Sequence, residues 1–348
     1  MVATFKIVTL SASVNEGIVD LNNDTFYDGG AITVEGTTLH CWKHGGHGLQ
    51  TYLQVVENSC NPGFVNLGLK LGKEKLFEYI YNFGFGSKTG VDLNGESTGI
   101  LFNLDNVGPV ELATTAFGQG VSVTPIQQIT AVSAAINGGI LYKPYIVKSL
   151  NEPETNSVVV YNNPKVVRQV ITKESSDIVK YALESVVQNG TGRNAFIDGY
   201  RVGGKTGTAQ KVKDGHYMVG NYITSFIGFL PADDPKIIVY VAVDNAKGVS
   251  QYGGTVAAPI ARNILMDSIT ALDIKRRDSA GEKNYKIGEK RYKVVPDVSN
   301  MDIKEAKKLL SDFSLEFSGS GSKVMYQSPS GGEKILEGEI VRLYLTGE

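Results

Sequence analysis

The chain has 348 residues, of which 42% are hydrophobic and 20% charged, with a formal net charge of −2. This composition is typical of a soluble globular protein, and the length allows two domains. The charge balance gives no sign of a nucleic-acid or anionic-membrane partner. No apolar run is long enough to span a bilayer, and nothing at Met1 looks like a signal peptide. Because a helical pattern starts within a few residues of Met1, we expect the sequence to be a fragment.

The hydrophobic periodicity predicts helices and strands in an order typical of an α+β protein. The predicted helices lie at about residues 4–16, 49–57, 65–84, 124–139, 173–189 and 255–272. The predicted strands lie at about residues 26–42, 202–210, 225–230 and 237–243. The turn signal "PADDP" separates the last two strands and predicts an antiparallel hairpin. Residues 1–272 are therefore expected to form one domain with an antiparallel sheet and surrounding helices.

The C-terminal part of the chain is predicted to be a separate domain. Residues 273–292 are charged and poor in large aliphatic side chains, which is typical of a linker. Residues 293–348 contain a proline-marked entry, an amphipathic helical pattern and two strand patterns around a glycine-rich turn. This order predicts a small β-α-β-β unit.

Residues 199–206, "GYRVGGKT", match the letters of a phosphate-binding loop. Such a loop needs a buried strand before its first glycine and a helix that begins at the Lys-Thr pair. The preceding "NAFID" is short and polar at both ends, and the following "TGTAQKV" favours a strand. We therefore interpret "KTGT" as a strand that lines a cleft. Lys205 would supply positive charge, and the hydroxyl groups of Thr206 and Thr208 would donate hydrogen bonds. Gly207 would let a ligand backbone lie close.

Lys-Thr-Gly is the third of three motifs in penicillin-interacting serine enzymes, after S-x-x-K and S-x-N. S-x-N is present as Ser59-Cys60-Asn61. Pro62 is expected to end the preceding helix, so that Ser59 and Asn61 face the cleft from a loop. S-x-x-K needs a nucleophile and a lysine one helical turn apart. Lys6 supplies the lysine, but the residue one turn before it is Ala3, so "ATFK" stands where "STFK" is needed.

The sequence resembles class B penicillin-binding proteins, most closely their sporulation-specific type from spore-forming Firmicutes. The resemblance covers residues 3–272 and includes "TFKIVTL", "CWKHGGHG", "NSCNPGF", "AFGQGVSVTPIQQ" and "GGKTGTAQ". Residues 294–347 resemble a PASTA domain. The resemblance implies a penicillin-binding/transpeptidase (β-lactamase-like) fold and a position outside the cytoplasmic membrane, in the cell envelope. It also implies an N-terminal membrane anchor that this sequence lacks, and a cell-wall glycosyltransferase as partner.

The reaction that the resemblance implies is peptidoglycan D,D-transpeptidation, here in the spore cortex, without a cofactor for catalysis. The substrates would be stem peptides that end in D-Ala-D-Ala, and β-lactams would compete for the same site. Position 3 would carry the nucleophile and Lys6 would be the general base. Ser59 would relay a proton to the leaving amine, and Asn61 would bind the substrate amide. Lys205 and Thr208 would hold the terminal carboxylate.

Ala3 has no nucleophilic atom, so the chain is expected to be inactive. Two explanations stay open: an engineered inactive variant, or an artificially altered N-terminus. Val2, where the family usually has glycine, favours the second. The alternative function is that of a non-catalytic peptidoglycan-binding or scaffold protein, and a native alanine at position 3 would favour it.

Cysteine and histidine residues in "HCWKHGGHG" suggest a metal site. Cys41, His44 and His47 follow a C-x2-H-x2-H spacing, and Cys60 lies inside the S-x-N motif. Two thiolates and two imidazoles satisfy tetrahedral zinc, and Asp28 is the reserve ligand if one histidine points away. Such a zinc ion would be structural and would brace the S-x-N loop. Alternatively, both cysteines are simply buried small hydrophobic residues. A zinc hydrolase is disfavoured because the ligand set leaves no open position.

Overall fold

The computed structural model describes residues 3–213, 216–277 and 291–346, apart from the side chains of 212, 213, 216 and 217. The chain divides into two compact units, Met1–Gly281 and Glu282–Glu348. Most of the predicted linker, 278–290, lies outside the described residues, and so does Val2. Within the described ranges, none of the helices has the length and apolarity that a bilayer crossing needs.

The first unit combines helices with short hairpins and one longer sheet. Its α-helices are α1 (Lys6–Asn15), α2 (Tyr52–Glu57), α3 (Asn61–Leu71), α4 (Lys73–Asn82), α5 (Pro109–Ala116), α6 (Pro125–Ile136), α7 (Lys173–Gln188) and α8 (Gly253–Ala271). Short 3-10 helices lie at Leu104–Asn106 and Arg193–Ala195. Its strands are β1 (Thr25–Asp28), β2 (Ala31–Val34), β3 (Thr37–His40), β4 (Gly48–Thr51), β5 (Ile140–Lys143), β6 (Ser149–Asn151), β7 (Val158–Tyr161), β8 (Lys165–Gln169), β9 (Gly203–Lys213), β10 (His216–Leu230) and β11 (Ile237–Asp244).

The predicted antiparallel meander is confirmed as a three-stranded sheet in the order β11-β10-β9. Leu230 pairs with Ile237 at the hairpin, and Gly207 of β9 pairs with Ser225 of β10. Helix α8 packs on β10 and β11, and α7 packs on β9. The sheet therefore carries the Lys-Thr-Gly-Thr segment on a strand held by β10 on one side and by helices on its face.

Helix α1 lies at the centre of the unit, and every residue from Lys6 to Val14 is buried. It contacts α3, α4, α6 and α7. Complete burial of an aliphatic side chain such as Leu10 contributes about 1.5–3 kcal/mol to folding. The sequence predicted one apolar face for this helix, but helices surround it on several sides. The first turn of α1 is therefore placed by the core itself.

Two predicted boundaries were wrong. The helical pattern at 65–84 is two helices, because Gly72 adopts a φ of 77° between α3 and α4. Pro62 does not leave Asn61 in a loop, since Asn61 begins α3 with Pro62 in its first turn. Proline is well tolerated there because the first backbone N–H groups of a helix have no intrahelical partner. The first turn of α3 thus fixes the position of Asn61.

The second unit is built from β12 (Tyr292–Val294), α9 (Ile303–Leu309), β13 (Ser314–Ser318), β14 (Lys323–Ser328), β15 (Lys334–Leu336) and β16 (Ile340–Thr346). Strands β13, β16 and β14 form one sheet, in which β13 and β16 are parallel, while β12 pairs with β15. The predicted β-α-β-β plan has one strand before the helix and two after it, whereas four strands follow α9; the plan missed β13 and β15. Strand β12 also begins at Tyr292, inside the predicted linker. The unit has its own core of buried apolar side chains, among them Val295, Leu310 and Val341.

Candidate active site

The Lys6 amine joins the first two motifs. Lys6 lies in the first turn of α1 and is 1% exposed. Its Nζ donates to the Ser59 carbonyl oxygen at 2.9 Å, to Ser59 Oγ at 3.1 Å and to Asn61 Oδ1 at 2.7 Å. The structure thus brings together three predicted site residues that are far apart in the sequence.

Burial changes the acid–base chemistry of Lys6. Desolvation of the ammonium group lowers the pKa of Lys6 to about 7, although the nearby thiol groups of Cys60 and Cys41 act to raise it. An amine with a pKa near neutrality exists in both protonation states at physiological pH. Lys6 is therefore suited to accept a proton and to return it.

Position 3 lies one turn before this amine, because the Lys6 backbone N–H donates to the Ala3 carbonyl oxygen at 3.3 Å. The following residue, Thr4, is fully buried, and its carbonyl oxygen accepts a hydrogen bond from Gln128 Nε2 at 3.3 Å. A side chain at position 3 would begin on the same helical turn as Lys6. Alanine places a methyl group there, which has no nucleophilic atom.

Strand β9 brings the third motif to this site. Lys205 is completely buried, and its pKa is held well below its usual range by desolvation and by the positive charge of Lys6. The Thr206 and Thr191 hydroxyl oxygens lie 2.9 Å apart, and Thr208 Oγ1 accepts from the Gly253 backbone N–H at 3.1 Å. Two lysine side chains therefore share one buried region, which favours binding of an anionic group.

Gly207 has a packing role in addition to the predicted one. A Cβ atom at this position would collide with Ser225 Oγ and would lie 3.3 Å from Thr4 Cγ2. The missing side chain therefore lets β9 pack against β10 and the start of α1. This close approach between parts of the protein sets the position of β9 relative to the first turn of α1.

Three of the four predicted metal ligands meet next to the S-x-N motif, and the reserve ligand Asp28 joins them. Ligand atoms of Asp28, Cys41, His47 and Cys60 all lie within 4.8 Å of one another. His44 is exposed and outside this group, so the reserve residue Asp28 takes its place. Tight glycine turns explain the change, since Gly45 and Gly46 both have a φ of 76° between the two histidines.

Short contacts connect the four side chains. His47 Nδ1 lies 2.8 Å from Asp28 Oδ2 and 3.4 Å from Cys41 Sγ, and Cys60 Sγ lies 3.3 Å from the same carboxylate oxygen. The hydrogen bond from Cys60 lowers the pKa of the Cys41 thiol, and the same bond raises the pKa of Cys60. Burial acts to raise the pKa of Asp28, but hydrogen bonds from Cys41, His47 and others hold it at about 2. The cluster therefore brings one carboxylate, two cysteine sulfur atoms and one imidazole close together.

Other residues around the site carried no motif signal in the sequence. Glu57 Oε1 accepts from Ser185 Oγ at 2.5 Å, and its carbonyl oxygen accepts from the Thr191 backbone N–H at 2.9 Å. These bonds link the end of α2, just before Ser59, to the end of α7. Only the fold brings these segments together, so spacing in the sequence could not have identified them.

A lysine on a buried helix, a serine and an asparagine beside it and a second buried lysine on a strand define a site of the penicillin-interacting serine-enzyme type. The chain belongs to the penicillin-binding protein transpeptidase family, whose domain matches residues 3–266, and residues 293–347 match the PASTA domain. The family is one of peptidoglycan D,D-transpeptidases, and the fold prediction is confirmed.

The chain is 60% identical over 346 residues to Stage V sporulation protein D of Bacillus subtilis (strain 168), covering 99% of this chain and 54% of that protein. It is 29% identical to the peptidoglycan D,D-transpeptidase FtsI homolog of Mesostigma viride, covering 76% of this chain and 48% of that protein. Penicillin-binding protein 3 of Mycobacterium tuberculosis, solved in complex with ampicillin, has a TM-score of 0.73 at 30% identity, covering 81% of this chain and 64% of that one. The chain spans about half the length of the curated relatives that it matches.

Proposed function

We propose that this chain is the peptide-binding and transpeptidase portion of a peptidoglycan D,D-transpeptidase that acts on the spore cortex. Its ligands would be stem peptides ending in D-Ala-D-Ala, and β-lactams. The observation that carries the proposal is the Lys6 amine, which bonds to Ser59 and Asn61 and lies one helical turn from position 3.

With serine at position 3, the residues support acyl transfer in two steps. Neutral Lys6 accepts the hydroxyl proton while Oγ attacks the carbonyl carbon of the penultimate D-alanine. The backbone N–H of residue 3 and one from β9 stabilise the resulting oxyanion. The carbon–nitrogen bond to the terminal D-alanine then breaks, and the proton passes from Lys6 through Ser59 Oγ to the leaving amine. An acceptor amine attacks the ester, and its proton returns to the serine oxygen.

The anionic end of the ligand would be held by β9. A terminal carboxylate beside Lys205 would restore the charged form of this buried amine, since an opposite charge within a few ångströms favours ionisation. The Thr208 hydroxyl donates to the same carboxylate, and Asn61 binds the substrate amide. A β-lactam carries a carboxylate at a comparable position, so the same site would accept both ligands.

With Ala3, this chain would bind these ligands without forming an acyl-enzyme. We therefore propose that it is catalytically inactive as given. The test is the Ala3→Ser variant incubated with a fluorescent penicillin and analysed by intact mass. We expect one adduct per chain in the variant and none in the Ala3 chain. Ala3→Ser combined with Lys6→Met is the matched control and should lose the adduct. An adduct on the Ala3 chain, or none on folded Ala3→Ser, would overturn the proposal.

A non-catalytic binding or scaffold protein is the second candidate, and Ala3 itself favours it. Such a protein would use the same groove to hold stem peptides. Calorimetry with a D-Ala-D-Ala peptide on the unmodified chain distinguishes a binding groove from one that needs the nucleophile. Measurable affinity together with an unlabelled Ala3→Ser variant would favour the scaffold.

The cell-envelope location and a cell-wall glycosyltransferase partner are part of the same proposal. They rest on the similarity to relatives such as the peptidoglycan D,D-transpeptidase FtsI homolog of Mesostigma viride. Co-purification of a membrane glycosyltransferase with the full-length protein tests the partner.

We also propose that Asp28, Cys41, His47 and Cys60 hold a structural zinc ion. Zinc–ligand distances of about 2.0–2.3 Å place the ligands of a tetrahedral ion roughly 3.3–3.8 Å apart. The contacts of 3.3 Å and 3.4 Å in the cluster are close to that spacing, and the Asp28–His47 contact of 2.8 Å is shorter. Four protein ligands would leave no position for water, so the ion would brace Cys60 and with it the S-x-N motif.

Metal analysis of protein purified without a chelator tests this zinc site. We expect about one zinc per chain, lost in Cys60→Ser and kept in His44→Ala, because His44 lies outside the cluster. The chelated protein should also melt at a lower temperature. Zinc in Cys60→Ser equal to that in the unmodified chain would rule out this ligand set.

A further inference from the structure

The segment between α7 and β9 connects the parts of the chain that carry the second and third motifs. Thr191 follows the end of α7, and its backbone N–H donates to the Glu57 carbonyl oxygen at 2.9 Å. Glu57 is the last residue of α2 and lies just before Ser59. The Thr191 hydroxyl oxygen lies 2.9 Å from that of Thr206 on β9. Thr191 therefore contacts the S-x-N segment through its backbone and the Lys-Thr-Gly strand through its side chain.

Close packing fixes Thr191 in this position. A Cβ atom on Gly254, at the start of α8, would collide with the Thr191 carbonyl oxygen. A Cβ atom on Gly190 would collide with the Glu57 carbonyl oxygen. Asn194 Nδ2 also donates to the Gly254 carbonyl oxygen at 2.7 Å. The segment is thus held between the end of α2 and the start of α8, and the Thr191 hydroxyl has a defined place beside β9.

The hydroxyl groups of Thr206 and Thr208 differ in the partner that lies behind each of them. The two residues are on the same face of β9, because side chains alternate along a strand. Thr208 Oγ1 accepts from the Gly253 backbone N–H at 3.1 Å. A backbone N–H only donates, so the Thr208 hydroxyl keeps its own hydrogen for a ligand. A hydroxyl carries one hydrogen, and Thr206 can therefore donate to a ligand only while Thr191 donates to Thr206.

We propose that Thr191 is a positioning residue for carboxylate recognition. Its hydroxyl donates to Thr206 Oγ1 and thereby directs the Thr206 hydrogen to the terminal carboxylate of the ligand. This inference rests on the proposed function and adds a residue to the same site. A hydrogen bond to a charged oxygen is stronger than one to a neutral oxygen, so the gain is larger for a carboxylate than for its ester or amide. Loss of the Thr191 hydroxyl should reduce the preference for the carboxylate by about two- to tenfold.

Benzylpenicillin and its methyl ester provide the test, since they differ at this carboxylate. In the Ala3→Ser background, intact mass gives the ratio of second-order acylation rate constants for acid and ester. Thr191→Val removes the hydroxyl and should lower the ratio, whereas Thr191→Ser keeps a hydroxyl and should preserve it. Thr33→Val is the matched control, because the exposed Thr33 and Thr38 hydroxyl oxygens lie 3.4 Å apart on β2 and β3. The ratio does not depend on the fraction of folded protein, so partial misfolding does not imitate the effect.

A double-mutant cycle shows whether Thr191 acts through Thr206. In a Thr206→Val protein, adding Thr191→Val should change the ratio no further, because the hydroxyl that Thr191 orients is already gone. A purely structural role would lower both rate constants in proportion and leave the ratio unchanged in Thr191→Val. That result, or an equal fall of the ratio in both backgrounds, would overturn the inference and leave the proposed function intact.

Binding to the unmodified Ala3 chain gives a test that needs no acylation. Calorimetry compares a peptide ending in D-Ala-D-Ala with the same peptide as its C-terminal amide. The chain should prefer the acid, and Thr191→Val should reduce this preference. If Ala3→Ser is not acylated, the transpeptidase proposal fails, and the peptide preference then decides on Thr191 alone. An equal preference in both proteins, or no binding of the acid, overturns the inference.

Discussion

Lys6 and Asn61 are joined by a hydrogen bond of 2.7 Å between a buried amine and an amide oxygen at the start of a helix. The bond connects the first turn of α1 to the first turn of α3. Each partner is held by its own helix, so the distance depends on helix packing more than on side-chain freedom. This relationship makes the chemistry of the groove sensitive to the protonation of a single amine.

Acylation of the Ala3→Ser variant should rise as the pH increases through about 7. Only deprotonated Lys6 can accept the serine proton, and its pKa is lowered to about 7. The rate should fall about tenfold per pH unit below that value. Stopped-flow rates with a fluorescent penicillin give the profile, and a flat profile across neutrality would contradict the role of Lys6.

The same amine should make stability depend on pH. The folded-state pKa of Lys6 is about 7 against an ordinary value of 10.5, so the unfolded chain binds more protons between these values. Lys6 therefore destabilises the fold fully below about pH 7, and this cost is relieved as the pH rises towards 10.5, by about 1.4 kcal/mol per pH unit. Denaturant unfolding of the chain and of Lys6→Met should diverge in this window. If the unfolding free energies of the two proteins changed with pH in parallel, Lys6 would not be desolvated in the folded state.

Gly207→Ala should destabilise the protein by about 1–3 kcal/mol, because the new methyl group collides with Ser225. Adding Ser225→Ala should recover part of the loss. Gly29→Ala is the matched control, since its nearest atom would be an ordinary 3.5 Å away. Thermal melts compare the variants. Equal melting temperatures for Gly207→Ala and the unmodified chain would refute the packing role.

Glu57→Ala should lower both stability and the acylation rate of Ala3→Ser. Burial raises the pKa of Glu57, while hydrogen bonds from Ser185 and Asn189 oppose that rise. Loss of the carboxylate leaves the buried Ser185 hydroxyl with one bond fewer, at a cost of about 1–3 kcal/mol. It also frees the segment that precedes Ser59, whose φ of 53° is unusual for serine. Glu57→Gln keeps an acceptor oxygen and should be much milder, so equal effects of the two substitutions would exclude the hydrogen bond as the cause.

The three motifs were enough to predict that Lys6, Ser59, Asn61 and Lys205 lie in one site, because S-x-x-K, S-x-N and Lys-Thr-Gly in this order are typical of one class of serine enzyme. Asp28 was harder to place. The sequence separation of Asp28 and Cys41 does not show that the two side chains meet. The hairpin register and the turns at Gly45 and Gly46 bring the Asp28 carboxylate to His47 and leave His44 outside the cluster. Strands β13 and β15 escaped prediction, since the three residues of β15 do not establish an alternation and β13 follows α9 after only a short turn. The Glu57 contacts depend on the packing of α2 against α7, which local sequence does not encode.

The enclosed position of α1 has an evolutionary consequence. A substitution in its first turn would disturb the interior of the whole unit, so few substitutions there should leave a folded protein. Trp42 and Tyr252, whose rings meet edge-to-face, are half-exposed to solvent, so substitutions there should cost the core less. Under the proposed function, we therefore expect selection by β-lactams to yield substitutions at such half-exposed positions and not in α1.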